Sequence, residues 1–285
     1  MSEVRLVQTT KIKMPEIPNN FLGIAEGGQE EAEVLVLPVP FEATTSYGHG
    51  TKQGPDAIIK ASQQVELFDP DLGNELQDLV KITTLKPIAN RAEMAGEAEK
   101  FVNKFLISLG GEHSITPELI RPYVKKYSNL SVLQIDAHTD LRDVWEGSKN
   151  SHACAMRRIQ EQGIDAIVQV GIRNTAKEEQ KYVKKENIFW GDKFDVGEVM
   201  KRLTHDVYLT FDVDGLDLSI MPATGTPEPG GLSYDQALNL LRAVAREKNL
   251  VGADFVELSP IKGIPAYDFL VAKLIYKLIS FKFHA

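Results

Sequence analysis

Asp136, His138 and Asp140 follow one another at every second position, and Asp212 and Asp214 repeat that spacing downstream. In extended backbone, side chains two apart leave on the same side. Four carboxylates and an imidazole therefore crowd together, and charges that close cannot all stay ionised in a buried place. Divalent cations resolve the conflict. Hard oxygens with a few imidazoles suit Mn²⁺, Mg²⁺ or Zn²⁺ better than copper or an iron–sulfur centre. Strand-end capping and turn formation, the ordinary work of Asp, account poorly for such residues at period two. His113, after Gly110 and Gly111, can add a second imidazole, its glycines allowing a sharp turn and close backbone approach. Six ligands exceed one tetrahedral site. They fit two metals about 3.5 Å apart that share carboxylates and activate a water as nucleophile. Four aspartates cancel two divalent cations, so such a centre tolerates a cationic electrophile better than a phosphate ester.

Each cluster ends an apolar, β-branched run, 131–135 and 207–211. Similar runs at 33–39, 79–85, 105–109, 166–171, 188–190 and 251–258 predict further strands. Amphipathic segments at 55–67, 91–104, 117–127, 152–162, 177–185, 193–203, 234–247 and 267–280 predict helices between them. Ser233 with Gln236 forms a capping-box signature at one helix start. Alternation of this kind predicts a mostly parallel sheet with helices on both faces. Sites in such sheets form at the carboxyl ends of strands, where both clusters and Gly110–His113 lie.

The composition restricts the function classes. The chain has 285 residues and no linker-like or repeated segment, which predicts one domain spanning 1–285. A net charge of −8 argues against a nucleic-acid partner and mildly favours a cationic ligand. The apolar stretch 269–281 carries Lys273 and Lys277 and is too short to span a bilayer, so no membrane partner is expected. Met1–Leu6 lacks an apolar core of a targeting signal. Cys154 is the only cysteine, consistent with a reducing cytoplasm, and reads as a small packing residue.

Five motifs carry a family resemblance: Gly110-Gly-Glu-His-Ser114, Asp136-Ala-His-Thr-Asp140, Ser151-His152, Phe211-Asp-Val-Asp-Gly-Leu-Asp217 with Pro222–Gly231, and Asp254-Phe-Val-Glu-Leu-Ser-Pro260. As an ordered set, with Gly50–Pro55 ahead of them, they resemble the ureohydrolase family of arginases and agmatinases from about Glu33 to the C-terminus. The resemblance implies an arginase-like three-layer α/β/α fold around an eight-stranded, mostly parallel sheet. It also implies two Mn²⁺ per chain. One would be held by His113, Asp136, Asp140 and Asp212, the other by Asp136, His138, Asp212 and Asp214. Asp140 would hydrogen-bond the attacking hydroxide, His152 would pass a proton to the leaving amine, and Glu257 would grip the guanidinium. No organic cofactor is implied. Family members form closed trimers or hexamers, so a homotrimer or homohexamer is expected.

The chain departs from the family pattern at four places, of which those near His152 and after Pro260 border the substrate mouth. Glu112 replaces the usual aspartate, Ala153-Cys154 stands where Gly-Thr or Ser-Thr is common, Leu218 replaces a proline, and the stretch after Glu257 is shortened. The stretch 141–146 lacks the arginase asparagine that binds an α-carboxylate and is similar to agmatinases. Agmatine, cleaved to putrescine and urea, is therefore the expected substrate, with Asp143 or Glu146 meeting its distal ammonium. Arginine or 4-guanidinobutyrate is the alternative, with Arg142 as the carboxylate partner. Deacetylases of similar fold use one zinc and paired histidines, and no His-His occurs here. A non-catalytic subunit would usually have lost ligands that this chain keeps.

Overall fold

A computed structural model of the chain describes residues 18–284; the expectation about Met1–Leu6 lies outside them. Eight parallel strands form one sheet: β1 (Val34–Val39), β2 (Ile82–Thr84), β3 (Phe105–Gly110), β4 (Leu130–Ile135), β5 (Ile167–Ile172), β6 (Ile188–Trp190), β7 (Asp206–Asp212) and β8 (Asn249–Val256). Their spatial order is β2-β1-β3-β8-β7-β4-β5-β6. All eight expected strands form. Apart from the edge strands β2 and β6, they are buried almost end to end, which explains their near-continuous apolar runs.

Alternate residues of these strands feed opposite faces. Val34, Val36, Ile107, Leu133 and Ile135 join a core with α1 (Gly54–Ser62) and three later helices. Those helices are the chain's fifth to seventh main helices, α5 (Val196–Arg202), α6 (Tyr234–Glu247) and α7 (Ala266–Phe283). Leu35, Leu37, Leu106 and Val132 pack on the other face. There they meet α2 (Arg91–Lys100), α3 (Arg121–Lys126) and α4 (Ala155–Gln160). The result is the expected three-layer α/β/α arrangement. The Ser233–Gln236 capping box forms, with the Gln236 amide donating to Ser233 Oγ at 3.2 Å and the Ser233 amide to Gln236 Oε1 at 2.9 Å. No helix among the described residues is long and apolar enough to cross a membrane.

Three expected elements differ. Residues 117–127 split into a turn of helix, Thr116–Leu119, and α3, because Pro122 has no amide to continue the ladder. Residues 177–185 give only two 3₁₀ turns, Lys177–Glu179 and Lys185–Asn187. That segment has little apolar surface to bury, and its Glu179 turns inward as a buried acceptor instead. Residues 79–85 begin as the end of a helical turn, Leu76–Leu79, and become strand only at Ile82.

Candidate metal centre and active-site cleft

The site is built on a row of polar residues inside the sheet. Ser108, Asp254, Thr210, Gln134 and Gln169 are cross-strand partners along β3, β8, β7, β4 and β5, and all five are buried. Buried polar groups need partners, and most of this row supplies its own. Thr210 Oγ1 donates to Asp254 Oδ1 at 2.6 Å, and the Tyr208 hydroxyl donates to Asp254 Oδ2 at 2.9 Å. Gln169 Nε2 donates to Gln134 Oε1 at 2.5 Å, and Gln134 Nε2 to Asp136 Oδ2 at 2.7 Å. Two positions beyond Gln134 and Thr210, on the same side, come Asp136 and Asp212. The row is thus a polar floor under the cluster. Its sequence signal is a lone polar residue within an apolar strand run, which motif reading passes over.

The six residues expected as ligands converge at the carboxyl ends of these strands. His113 Nδ1 lies 3.1 Å from Asp136 Oδ2, 3.0 Å from Asp140 Oδ2 and 3.5 Å from Asp212 Oδ2. His138 Nδ1 lies 3.0 Å from Asp214 Oδ2 and 3.6 Å from Asp136 Oδ1. His113, Asp136 and Asp140 bring one ligand atom each within 4.8 Å of one another, as do Asp136, His138 and Asp214. Backbone amides hold the carboxylates: His138 N donates to Asp136 Oδ1, Ala137 N to Asp214 Oδ1, and Asp214 N to Asp212 Oδ1, at 2.6, 2.9 and 2.8 Å.

The tautomer of His113 bears on whether cations fit. The Thr210 hydroxyl gives its proton to Asp254, so it accepts from His113 Nε2–H at 2.9 Å. A neutral His113 then turns its Nδ1 lone pair towards three carboxylate oxygens. Nδ1 is buried without a hydrogen-bond partner. Only a proton or a cation on Nδ1 makes that arrangement stable, and the outer partner fixing the ring is a common device of metal sites.

The electrostatics agree. Burial opposes a charged His113, yet the Asp136, Asp140 and Asp212 carboxylates hold its pKa well above the ordinary value. Burial also opposes His138, but Asp214 and Asp136 push it up to about 12. Burial and then the charge of Asp136 raise Asp140. Burial and then the charges of Asp214 and Asp136 raise Asp212 further. Asp136 runs the other way: burial would raise it, but His113 and His138 outweigh that and draw it down.

A cleft of about 200 Å³ opens over the cluster, lined by His152 and Glu257 among others. Glu257 Oε1 accepts the His113 amide at 2.7 Å. Burial pushes the Glu257 carboxyl up to about 8. Among the described residues it has no Arg or Lys partner, and a cation beside it would favour its ionised form. His152 heads a 3₁₀ turn, His152–Cys154, that leads into α4. Cys154 is buried and free.

The residues expected to read the far end of a substrate are paired elsewhere or lie outside the cleft wall. Arg142 pairs with Glu178 and its guanidinium stacks 4.1 Å from the Trp145 ring centre. Asp143 is not in the cleft wall; Arg158 donates to it at 2.7 Å. Glu146 is exposed at a hairpin tip.

Arg173, just beyond β5, is unmarked by any motif. Its guanidinium donates to the carbonyls of Gly171, Asp214, Leu216, Glu228 and Pro229, at 2.6–3.3 Å. It thereby joins the Asp214 backbone to the 228–229 loop. Asp217 closes the same loop, accepting the Gly230 and Gly231 amides at 2.7 and 3.1 Å.

Comparison with known proteins places this architecture. A model of the Arginase family matches residues 32–280. The chain is 38% identical over 274 residues to an N(1)-aminopropylagmatine ureohydrolase of Synechocystis sp., covering 88% of this chain and 89% of that protein. It is 33% identical over 267 residues to an agmatinase of Pyrococcus horikoshii, covering 88% and 92%. The crystal structure of the agmatine ureohydrolase of Thermoplasma volcanium superposes with a TM-score of 0.77 at 29% identity, covering 90% and 92% of the two chains. These relatives define a ureohydrolase, an enzyme that cuts guanidino C–N bonds. The chain belongs to the arginase family.

Proposed function

We propose that the chain is a binuclear manganese ureohydrolase acting on a linear cationic guanidine without a carboxylate, agmatine or its N1-aminopropyl extension. The observation that carries this reading is the charge of the cleft. Beside the ligand carboxylates Glu257 lines it, and Arg142, its one Arg or Lys among the described residues, is paired with Glu178. A guanidino acid would find no free cation there, which disfavours arginine and 4-guanidinobutyrate. The aminopropyl extension gains weight from the 38% identity to a relative of that name, against 33% for the agmatinase.

His113, Asp136, Asp140 and Asp212 would hold one metal, and Asp136, His138, Asp212 and Asp214 the other. Bound, the metals would polarise a water and make it nucleophilic near neutral pH. Glu257 would accept guanidinium N–H groups and orient the electrophilic carbon, a charge-assisted contact. Asp140 would hold the proton of the attacking water, and His152 would deliver one to the departing nitrogen. Water and the guanidino group give urea and a free amine: putrescine from agmatine, the matching triamine from the extended substrate.

The test is urea release by Mn²⁺-loaded protein from agmatine, N1-aminopropylagmatine, arginine and 4-guanidinobutyrate in parallel. The expected result is a kcat/KM for either cationic substrate at least about a hundredfold above both guanidino acids, the scale of an unpaired buried charge. Preference for a guanidino acid would overturn the charge argument.

A further inference from the structure

Glu112 is fully buried beside His113 and has no Arg or Lys partner among the described residues. Its carboxylate is instead ringed by donors from two segments. Oε2 accepts the amides of Ala43 and Thr44, both at 2.6 Å, and Oε1 accepts the hydroxyls of Thr44 at 2.6 Å and Ser114 at 2.5 Å. Thr44 has one hydroxyl proton, and Glu112 takes it. Thr44 Oγ1 is left with two lone pairs. One accepts the His152 backbone amide at 3.0 Å, and His152 Nδ1 lies 3.3 Å from the same oxygen.

Two acceptors facing each other would repel, so the Thr44 contact favours hydrogen on Nδ1. Ser151 Oγ, 3.3 Å from Nδ1, can share that N–H as an acceptor. Nε2 then stands beside the Ser46 hydroxyl, 3.4 Å away and in the cleft wall.

We propose that Glu112 and Thr44 are positioning residues that fix His152 as its Nδ1–H form, so that Nε2 alone exchanges a proton with the cleft. This rests on the reading of His152 as proton donor. In the reaction the Nε2–H bond breaks as the bond from hydrogen to the leaving nitrogen forms. The ring ends neutral, with Nδ1–H still donating to Thr44. The substitution of glutamate for the family's aspartate at 112 thus lies at the root of a hydrogen-bond chain, carboxylate to hydroxyl to imidazole.

The experiment compares wild type, Thr44→Val and Thr44→Ser. In histidine-¹⁵N-labelled, Mg²⁺-loaded protein at alkaline pH, with His152→Asn to assign the resonance, wild type should show the Nδ1–H tautomer. Thr44→Val should lose that preference. With Mn²⁺, Thr44→Val should keep two metals and its KM while kcat falls about 10–100-fold, a part of the 10²–10⁴ a general acid contributes. Thr44→Ser should restore most of the rate. A wild-type Nε2–H tautomer, or a Thr44→Val kcat within about twofold of wild type, overturns the proposal. Absence of urea release from every guanidine by wild type would instead defeat the assigned reaction, and the tautomer measurement would still decide this one.

Discussion

Asp140 and Glu257 are both buried at positive φ, 50° and 66°. Left-handed backbone is costly for a residue with a side chain, on the order of 1–3 kcal/mol, and persists where surroundings enforce it. Two such residues among the cleft carboxylates fit a site where geometry is held at the expense of stability. Glu146 is a contrast: φ is 48°, Gly147 follows at 80°, and Trp145 and Ser148 exchange both backbone hydrogen bonds. That is a two-residue hairpin turn with both centres left-handed, where Asn-Gly is favoured. Glu146→Asn should stabilise by about 0.5 kcal/mol and raise Tm by about 1–2 °C without changing activity, read by thermal unfolding. At the cluster, Asp136→Ala should abolish urea release and lower bound metal, measured by elemental analysis. Full activity with metal retained would remove Asp136 from the shared position. His152→Ala should instead keep the metals and slow turnover by about 10²–10⁴-fold; an unchanged rate would make it a wall residue.

Strand register is what turns scattered polar residues into a site. Ser108, Asp254, Thr210, Gln134 and Gln169 come from five strands far apart in the chain, yet parallel pairing sets them in one line. A slip of one residue in β4 would send Gln134 and Asp136 to the opposite face. Arg173 performs a similar task in the loops, joining the carbonyls of Asp214, Leu216 and Glu228. Arg173→Met should leave the sheet folded but let the Asp214 loop shift. Metal affinity should fall about 10–100-fold, the usual cost of losing an outer partner of a ligand, with activity recovered at high Mn²⁺. Unchanged affinity in a metal titration would mean that Asp217 alone holds the loop.

For the molecule as a whole, the metal-free cluster is a proton store. Without metal, the surrounding carboxylates favour the protonated imidazoles, pushing His138 up to about 12 and His113 well above its ordinary value. Ligation requires neutral imidazole, so metal uptake should release protons and weaken as pH falls. Titration calorimetry in two buffers of different ionisation enthalpy should show release of at least about one proton per chain; no buffer dependence would contradict it. The sign for stability follows. A raised histidine pKa stabilises the metal-free fold fully below the ordinary value of 6.5, and that contribution is lost as pH rises towards 12. The Tm gain on saturating metal should therefore be larger at pH 8.5 than at pH 6.

Much of this was legible in the chain. The eight strands showed as apolar runs because strands buried on both faces have no polar side to display. The six cluster residues showed because period-two spacing and strand ends are local properties, whereas Glu257 was marked through the resemblance. His152 was marked only by resemblance, since nothing local separates it from a histidine at a surface helix. The helix at 177–185 failed because Glu179 finds its partners in Thr139 and Leu141, nearly forty positions back in the chain. Arg142 and Asp143 looked free because Glu178 and Arg158, which neutralise them, arrive from other segments. The sequence by itself determined which chemistry the residues could do, through their types and spacing. Tertiary structure alone decided which charges remain unpaired in the cleft and which nitrogen of each histidine bears the proton, because both depend on partners brought from elsewhere in the chain.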